Sequence, residues 1–292
     1  MFIEKPSIRM LRLWKQRLFF ALNRLSALLI VLALGGIIAF IVKNGYSVIS
    51  WDFLTLPPTD SMTKGGIMPA ILGTLYLTIG SMTVAMPVGV ITAVYLSEYA
   101  KQGRLLRLLR VGINCLAGVP SVVFGFFGLA LFVVFFGFGS SILSGSLTLG
   151  VLVLPSIIAA TEEALRAVPQ TVREASLALG VSKWETTLRV VLPAAAPGIL
   201  TALILGIGRS AGETAPIMFT AAAFFSAKLP HSIFDEVMAL PYHVYVLATA
   251  GTRIEQTRPL QYGTVLVLLM LVLGVNLIAI ILRSSMRRKK TW

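Results

Sequence analysis

Six long apolar runs set the pattern of this chain, at residues 18–42, 67–96, 111–138, 146–160, 194–221 and 262–282, with short polar stretches between them. Most reach the roughly 20 residues that an α-helix needs to cross a hydrocarbon core of about 30 Å. The first is longer than the 7–15-residue core of a cleaved leader, so it reads as a retained helix. Glycine occurs in every run and proline in the second to the fifth, with Pro87, Pro120 and Pro155 inside three of them. Such helices pack closely or line a cavity, where neighbouring groups satisfy the loosened backbone. The pattern predicts an all-α integral membrane protein of six transmembrane helices.

Composition agrees. The chain is 57% hydrophobic and 13% charged, about half the charge of a soluble domain. The net charge of +13 could suggest nucleic acid, but the cations sit in clusters between apolar runs. Of the 25 basic residues, 19 fall before or early in the first run, in the second and fourth connections, or in the tail. Basic residues mark the cytoplasmic side, so both termini face the cytoplasm. The expected organisation is a basic N-terminus (1–17), a six-helix domain (18–282) with a cytoplasmic loop (161–193) and an external segment (226–261), and a basic tail (283–292). The single cysteine, Cys115, excludes an internal disulfide and reads as a small buried hydrophobe. His231 and His243 lack ligand spacing, so no metal is expected.

Two stretches carry candidate chemistry. In the cytoplasmic loop, Pro169 suits a first helical turn, and Val172, Ala175, Ser176 and Leu179 recur on one face. Gly180 stands where a left-handed residue closes a helix. Ser182 to Glu185 form a capping-box pattern that starts a second helix. Trp184, Leu188, Val191 and Leu192 share its apolar face, and Pro193 ends it and opens the next span. The outcome is a rigid two-helix knob, either a connector folded on its own membrane domain or a docking element. In the fifth run, Arg209 and Glu213 lie one turn apart and can pair. An arginine or glutamate at that depth costs on the order of 3 kcal/mol. Pro216 removes the N–H that would bond Gly212, so a bend is expected at Gly212 and Pro216. The pair is either structural or an anion site, because a guanidinium matches a tetrahedral oxyanion; Ser210 and Thr214 flank it. The external segment, with Asp235 and Glu236, is either a landing surface for a protein outside or a lid on the domain itself.

Glu174-Ala175-Ser176, Gly180 and, after nine residues, Val190-Val191-Leu192-Pro193 resemble the cytoplasmic loop of permease subunits of binding-protein-dependent ABC importers. Ser176 replaces a second alanine and Val190 an isoleucine. The resemblance implies the type I importer permease architecture and docking of this loop into a cleft of an ATP-hydrolysing subunit. With no G-x-x-x-x-G-K-[ST] loop, the chain cannot supply the ATPase itself. Residues 212–221, together with 65–76, 95–100 and 239–241, resemble more closely the phosphate importer permeases of the PstA type. That resemblance implies a bacterial inner-membrane subunit that moves inorganic phosphate beside a sister permease (PstC type), an ATPase dimer (PstB type) and an external phosphate-binding protein (PstS type). No catalytic residue or cofactor is expected on this chain. The rivals are a permease for molybdate or sulfate and a secondary transporter with Arg209 and Glu213 as a proton relay. An intramembrane enzyme ranks last, since no nucleophile–base pair occurs in the runs.

Overall fold

The computed structural model describes residues 6–226, 228–250 and 254–288. Lys5, Arg253, Lys289 and Lys290 lie outside the described residues. Among those described, the regular secondary structure is helical apart from the two-residue strands Pro58–Thr59 and Lys64–Gly65, paired antiparallel, and an isolated parallel bridge between Ala222 and Val237. The helices are α1 (Pro6–Gly45), α2 (Trp51–Thr55), α3 (Met68–Val94), α4 (Arg104–Ala117), α5 (Ser121–Gly128), α6 (Ile142–Arg166), α7 (Gln170–Ala178), α8 (Lys183–Thr186), α9 (Leu192–Gly212), α10 (Ala215–Thr220), α11 (Leu240–Thr249) and α12 (Ile254–Arg288). π-Helical segments continue α3 through Tyr99 and α5 through Phe135, and join α8 to α9 over Thr187–Val191. Five helical stretches, and a sixth if α4 and α5 count as one, are long and apolar enough to cross a membrane.

Three central helices, α3, α6 and α9, pack on one another because small residues let them approach. A Cβ on Gly89 would fall 2.6 Å from the Ile157 side chain, and one on Gly198 would clash with the Ala164 side chain. Apolar clusters stack along the bundle. At the cytoplasmic end Leu96, Leu106, Leu165, Val168 and Val191 come together; midway lie Met82, Leu152, Ile157 and Ala202; toward the outside lie Phe53, Ile67, Met238 and Leu240. Hydroxyls within the spans donate to carbonyls one turn back, as in Thr74 to Ala70 and Thr78 to Thr74, which removes much of the cost of placing them in lipid. In contrast, α1 has no buried residue through its most apolar stretch. It touches α12 near its outer end, where the Phe40 and Tyr262 rings meet edge to face and Gly45 abuts the Tyr262 carbonyl.

The hydropathy reading needs four corrections. The third run is not one helix: α4 and Ser121–Phe135 meet at 100°. The break falls at Gly118-Val119-Pro120, because the residue before proline avoids the helical region. The fourth run is longer than 146–160, since the polar turn Thr161–Arg166 stays helical and places Glu162 and Arg166 one turn apart, 3.1 Å from each other. The fifth helix does not bend and continue to 221. It stops at Gly212, Glu213 is extended (φ −76°, ψ 133°), and Pro216 opens the separate α10. Cys115 is exposed rather than buried.

The external segment is stitched to the bundle. Ile142 N–H donates to Asp235 O, Leu143 N–H to Ile233 O, and Leu240 N–H to Thr74 Oγ1 at 2.8 Å. Val237 to Leu240 are buried, whereas Phe234 and Glu236 are exposed. Part of the segment is therefore a packed lid, with an exposed edge on the outer surface.

Candidate functional site

The break after α9 builds the polar site. Arg209 sits in the last turn of α9, and Glu213 lies just past its end. Arg209 Nε lies 3.6 Å from Glu213 Oε1, an ion pair too long for a hydrogen bond. The hydrogen bond goes elsewhere: Arg209 Nη1 donates to Ser156 Oγ at 3.0 Å. Ser156 follows Pro155 on α6 and was not singled out by sequence; a serine inside the apolar run after a proline was its only signal. The pair is partly open, with the arginine side chain 34% and the glutamate 18% exposed. A Cβ on Gly212 would meet nothing within 4 Å, so the break has free space beside it.

Ser210 points away from this opening. It is buried, and its hydroxyl lies 2.7 Å from that of Ser81 on α3. Its place is at the α3–α9 contact. Thr214 precedes α10, and its carbonyl accepts from Met218 N–H. One residue before Arg209, Gly208 faces Asn276 of α12, whose buried Oδ1 has no hydrogen-bond partner among the described residues. A groove of about 620 Å³ runs alongside between α3, α9 and α12, lined by Met82, Ile207, Ala211, Leu271 and Val275 among others. That lining is too apolar to hold an anion.

The cytoplasmic loop forms a two-helix knob as expected, except that its second helix does not end at Pro193 but runs on through a π-helical turn into α9. Gly180 adopts φ +80°, and Ser182 Oγ accepts from Glu185 N–H. The expected stripe on α7 divides. Ser176 turns inward and its hydroxyl lies 2.9 Å from that of Thr186. Glu174, Ala175, Leu179 and Gly180 face outward, Leu179 at 83% exposure. Val191 is fully buried, while Trp184 and Leu188, one turn apart, are exposed. Leu192 is half-buried and Pro193 exposed where α9 begins. Exposed leucines and a tryptophan on a rigid knob are the signature of a face that another surface covers.

The knob is clamped to α3, a connection that sequence reading did not anticipate. Arg173 bonds Glu98 through Nη2 to Oε1 at 2.9 Å and through Nε to Oε2 at 3.4 Å. It also donates to the Leu165 and Val168 carbonyls. The two side chains are only 13% and 9% exposed. Beside them, Lys183 lies over the Tyr99 ring, and Tyr99 Oη reaches Thr187 Oγ1. A cleft of about 570 Å³ opens against this clamp.

Residues 85–291 match the family model described as binding-protein-dependent transport system inner membrane component. The chain is 36% identical over 278 residues to the probable ABC transporter permease protein YqgI of Bacillus subtilis, covering 91% of this chain and 94% of that one. It is 37% identical over 270 residues to the phosphate transport system permease protein PstA of Mycobacterium leprae, covering 90% and 87%. A solved bacterial ABC transporter involved in the import of alginate, a polysaccharide, shares the fold at a TM-score of 0.59 and 16% identity, over 96% of this chain and all of that one.

Proposed function

Because the chain belongs to the family of binding-protein-dependent transport system inner membrane components, a multi-pass permease subunit of the bacterial inner membrane, we infer that it carries inorganic phosphate inward as half of an ATP-driven pathway. The relatives named for phosphate transport supply the substrate class. The observation that carries the reading is the broken end of α9, where a guanidinium stands at a gap inside a membrane helix. Such a charge costs too much to keep in a span without a task.

In this mechanism Glu213 holds Arg209 while the path is empty and yields it to the arriving anion. Ser156 keeps the guanidinium facing the gap. One arginine under-balances a doubly charged phosphate, so a sister permease completes the site from its own residues. ATP hydrolysis takes place on a partner, whose cleft receives the outward face of α7 around Glu174, Ala175 and Gly180. The π-helical turn Thr187–Val191 joins the loop directly to α9, so movement of the knob reorients the broken end between the two sides of the membrane. A phosphate-binding protein delivers substrate at the outer surface.

The test is labelled-phosphate uptake into proteoliposomes holding this chain, its sister permease and the ATPase, with binding protein outside and ATP inside. Uptake that requires ATP and is lost in Arg209→Gln, while the variant complex still assembles, supports the reading. Normal transport by the variant makes the pair structural. Uptake by this chain alone, indifferent to ATP and abolished by an uncoupler, overturns the mechanism.

A further inference from the structure

The 100° turn between α4 and α5 leaves a 14-residue helix pointing away from the span it was expected to continue. The positions along α4 sort into three directions. Leu106 is buried in the cytoplasmic cluster, with Ile113 one heptad on packed against it. Leu105, Leu108, Leu109 and Leu116 are exposed, together with Cys115, and share the neighbouring side of the helix. Arg104 and Arg107 take the remaining side, flanking the exposed Val111, with Lys101 just before the helix. Arg110 turns inward instead, 3.5 Å from Glu162 of α6, and donates to the Leu96 carbonyl. That contact fixes the helix's rotation, so its exposed apolar strip and its cations cannot trade places.

A helix with one apolar side, one cationic side and a lateral anchor is the form that lies in a membrane–water boundary. The four basic residues 101–110 belong to the cytoplasmic connection, and the cytoplasmic leaflet is the anionic one. We propose that α4 lies in the plane of the cytoplasmic leaflet, with Leu105, Leu108, Leu109 and Leu116 among the acyl chains and Lys101, Arg104 and Arg107 holding anionic phospholipid headgroups. The partner is the lipid surface, selected by charge complementarity and by an apolar strip too narrow for a crossing helix. The proposal concerns the membrane and holds for whichever anion the permease carries. Because α4 is tied through Arg110 and Leu106 to the ends of α3 and α6, bound anionic lipid steadies the same cytoplasmic cluster that supports the loop.

The chain carries its own probe, since Cys115 is its only cysteine and lies on the exposed strip. A spin label on Cys115, in the complex assembled from cysteine-free partners, is read for collision with oxygen and with a water-soluble nickel chelate. The expected result is a depth just below the headgroups. A depth at the bilayer centre makes α4 part of a crossing, full access to nickel puts it in water, and protection from both reagents means that protein covers it; each overturns the proposal. The second measurement is retention of phosphatidylglycerol against phosphatidylcholine by the purified complex. At about one surface-adjacent charge per arginine, Arg104→Gln should lower the preference about fivefold, and Arg104→Gln with Arg107→Gln about 30-fold. The two lysine variants, Arg104→Lys and Arg107→Lys, should keep it. An unchanged preference in the double glutamine variant would also overturn the proposal, and transport by the wild type is scored separately.

Discussion

The clamp between Glu98 and Arg173 gives the sharpest quantitative expectation. Arg173→Met removes both contacts to Glu98 and the two donations to the Leu165 and Val168 carbonyls. It leaves a carboxylate that is 9% exposed without its cation. Breaking a buried pair from one side costs about 3–5 kcal/mol. Glu98→Gln is milder, because the amide oxygen still accepts and the guanidinium keeps its two carbonyls; the loss there is about 1.5 kcal/mol, the lower end for a charged hydrogen bond. The residues join two separate elements, so the loss falls on docking of the knob against α3. At tenfold per 1.4 kcal/mol, the equilibrium constant for docking falls about 150-fold for Arg173→Met at the low end and about 12-fold for Glu98→Gln. The assay is the ratio of anion transported to ATP hydrolysed in proteoliposomes, with trypsin cleavage of the loop as a direct measure of undocking. A generally damaged complex loses both rates in proportion, whereas an undocked loop lowers the ratio. If Arg173→Met leaves the ratio and the protease resistance at wild-type values, or if Glu98→Gln proves the worse variant, the reasoning fails.

Other expectations follow from the same geometry. Gly180→Pro cannot adopt φ +80°, and Glu174→Lys reverses a charge on the outward face of α7; both should leave the chain inserted and ATP hydrolysis measurable while transport is lost, and normal transport in either would remove the docking role. Ser156→Ala deletes the hydrogen bond to the Arg209 guanidinium and should lower uptake about tenfold with assembly intact, while Ser156→Thr keeps it; equal uptake by the alanine variant would dismiss Ser156 as a positioning group. Asp235 Oδ2 accepts from the His231 and Ser232 N–H groups, which hold its carboxyl below the ordinary value of 3.8. The folded value lies below the unfolded one, so the ordering of this turn is complete above that range and is lost as pH falls through the folded value. Exchange protection of the His231 and Ser232 amides should therefore collapse only in acid, and Asp235→Asn should flatten the dependence.

Hydropathy made the membrane class and most of the spans legible, because each follows from the cost of moving a local segment into lipid. Chain breaks were harder. Pro120 and Pro216 signalled irregular backbone, yet a proline states where a helix is weakened and not whether neighbours bend it or end it. The knob was readable because Gly180 and Ser182 encode their own turns. The faces of its helices were not, since Ser176 turns inward only because Thr186 waits there. Arg209 and Glu213 stood out as charges in an apolar run. Ser156, Ser81 and Asn276 did not, because a single small polar residue is unremarkable until its partner is known. Glu98 and Arg173 are 75 residues apart, and nothing in either local stretch points to the other.

The isolation of α1 bears on how the protein enters the membrane. Its apolar stretch is turned to its surroundings on every side, so it needs no sister helix to be at home in lipid. By contrast, α3 and α6 carry hydroxyls, glycines and prolines whose places are filled by each other. An emerging chain can therefore commit α1 to the bilayer as soon as it is made, with Lys15, Arg17 and Arg24 fixing its direction. The less apolar α3 and α6 then inherit an orientation that they choose less firmly on their own, and settle once their neighbours have arrived. On this view the least buried span of the folded protein is the most consequential one during synthesis.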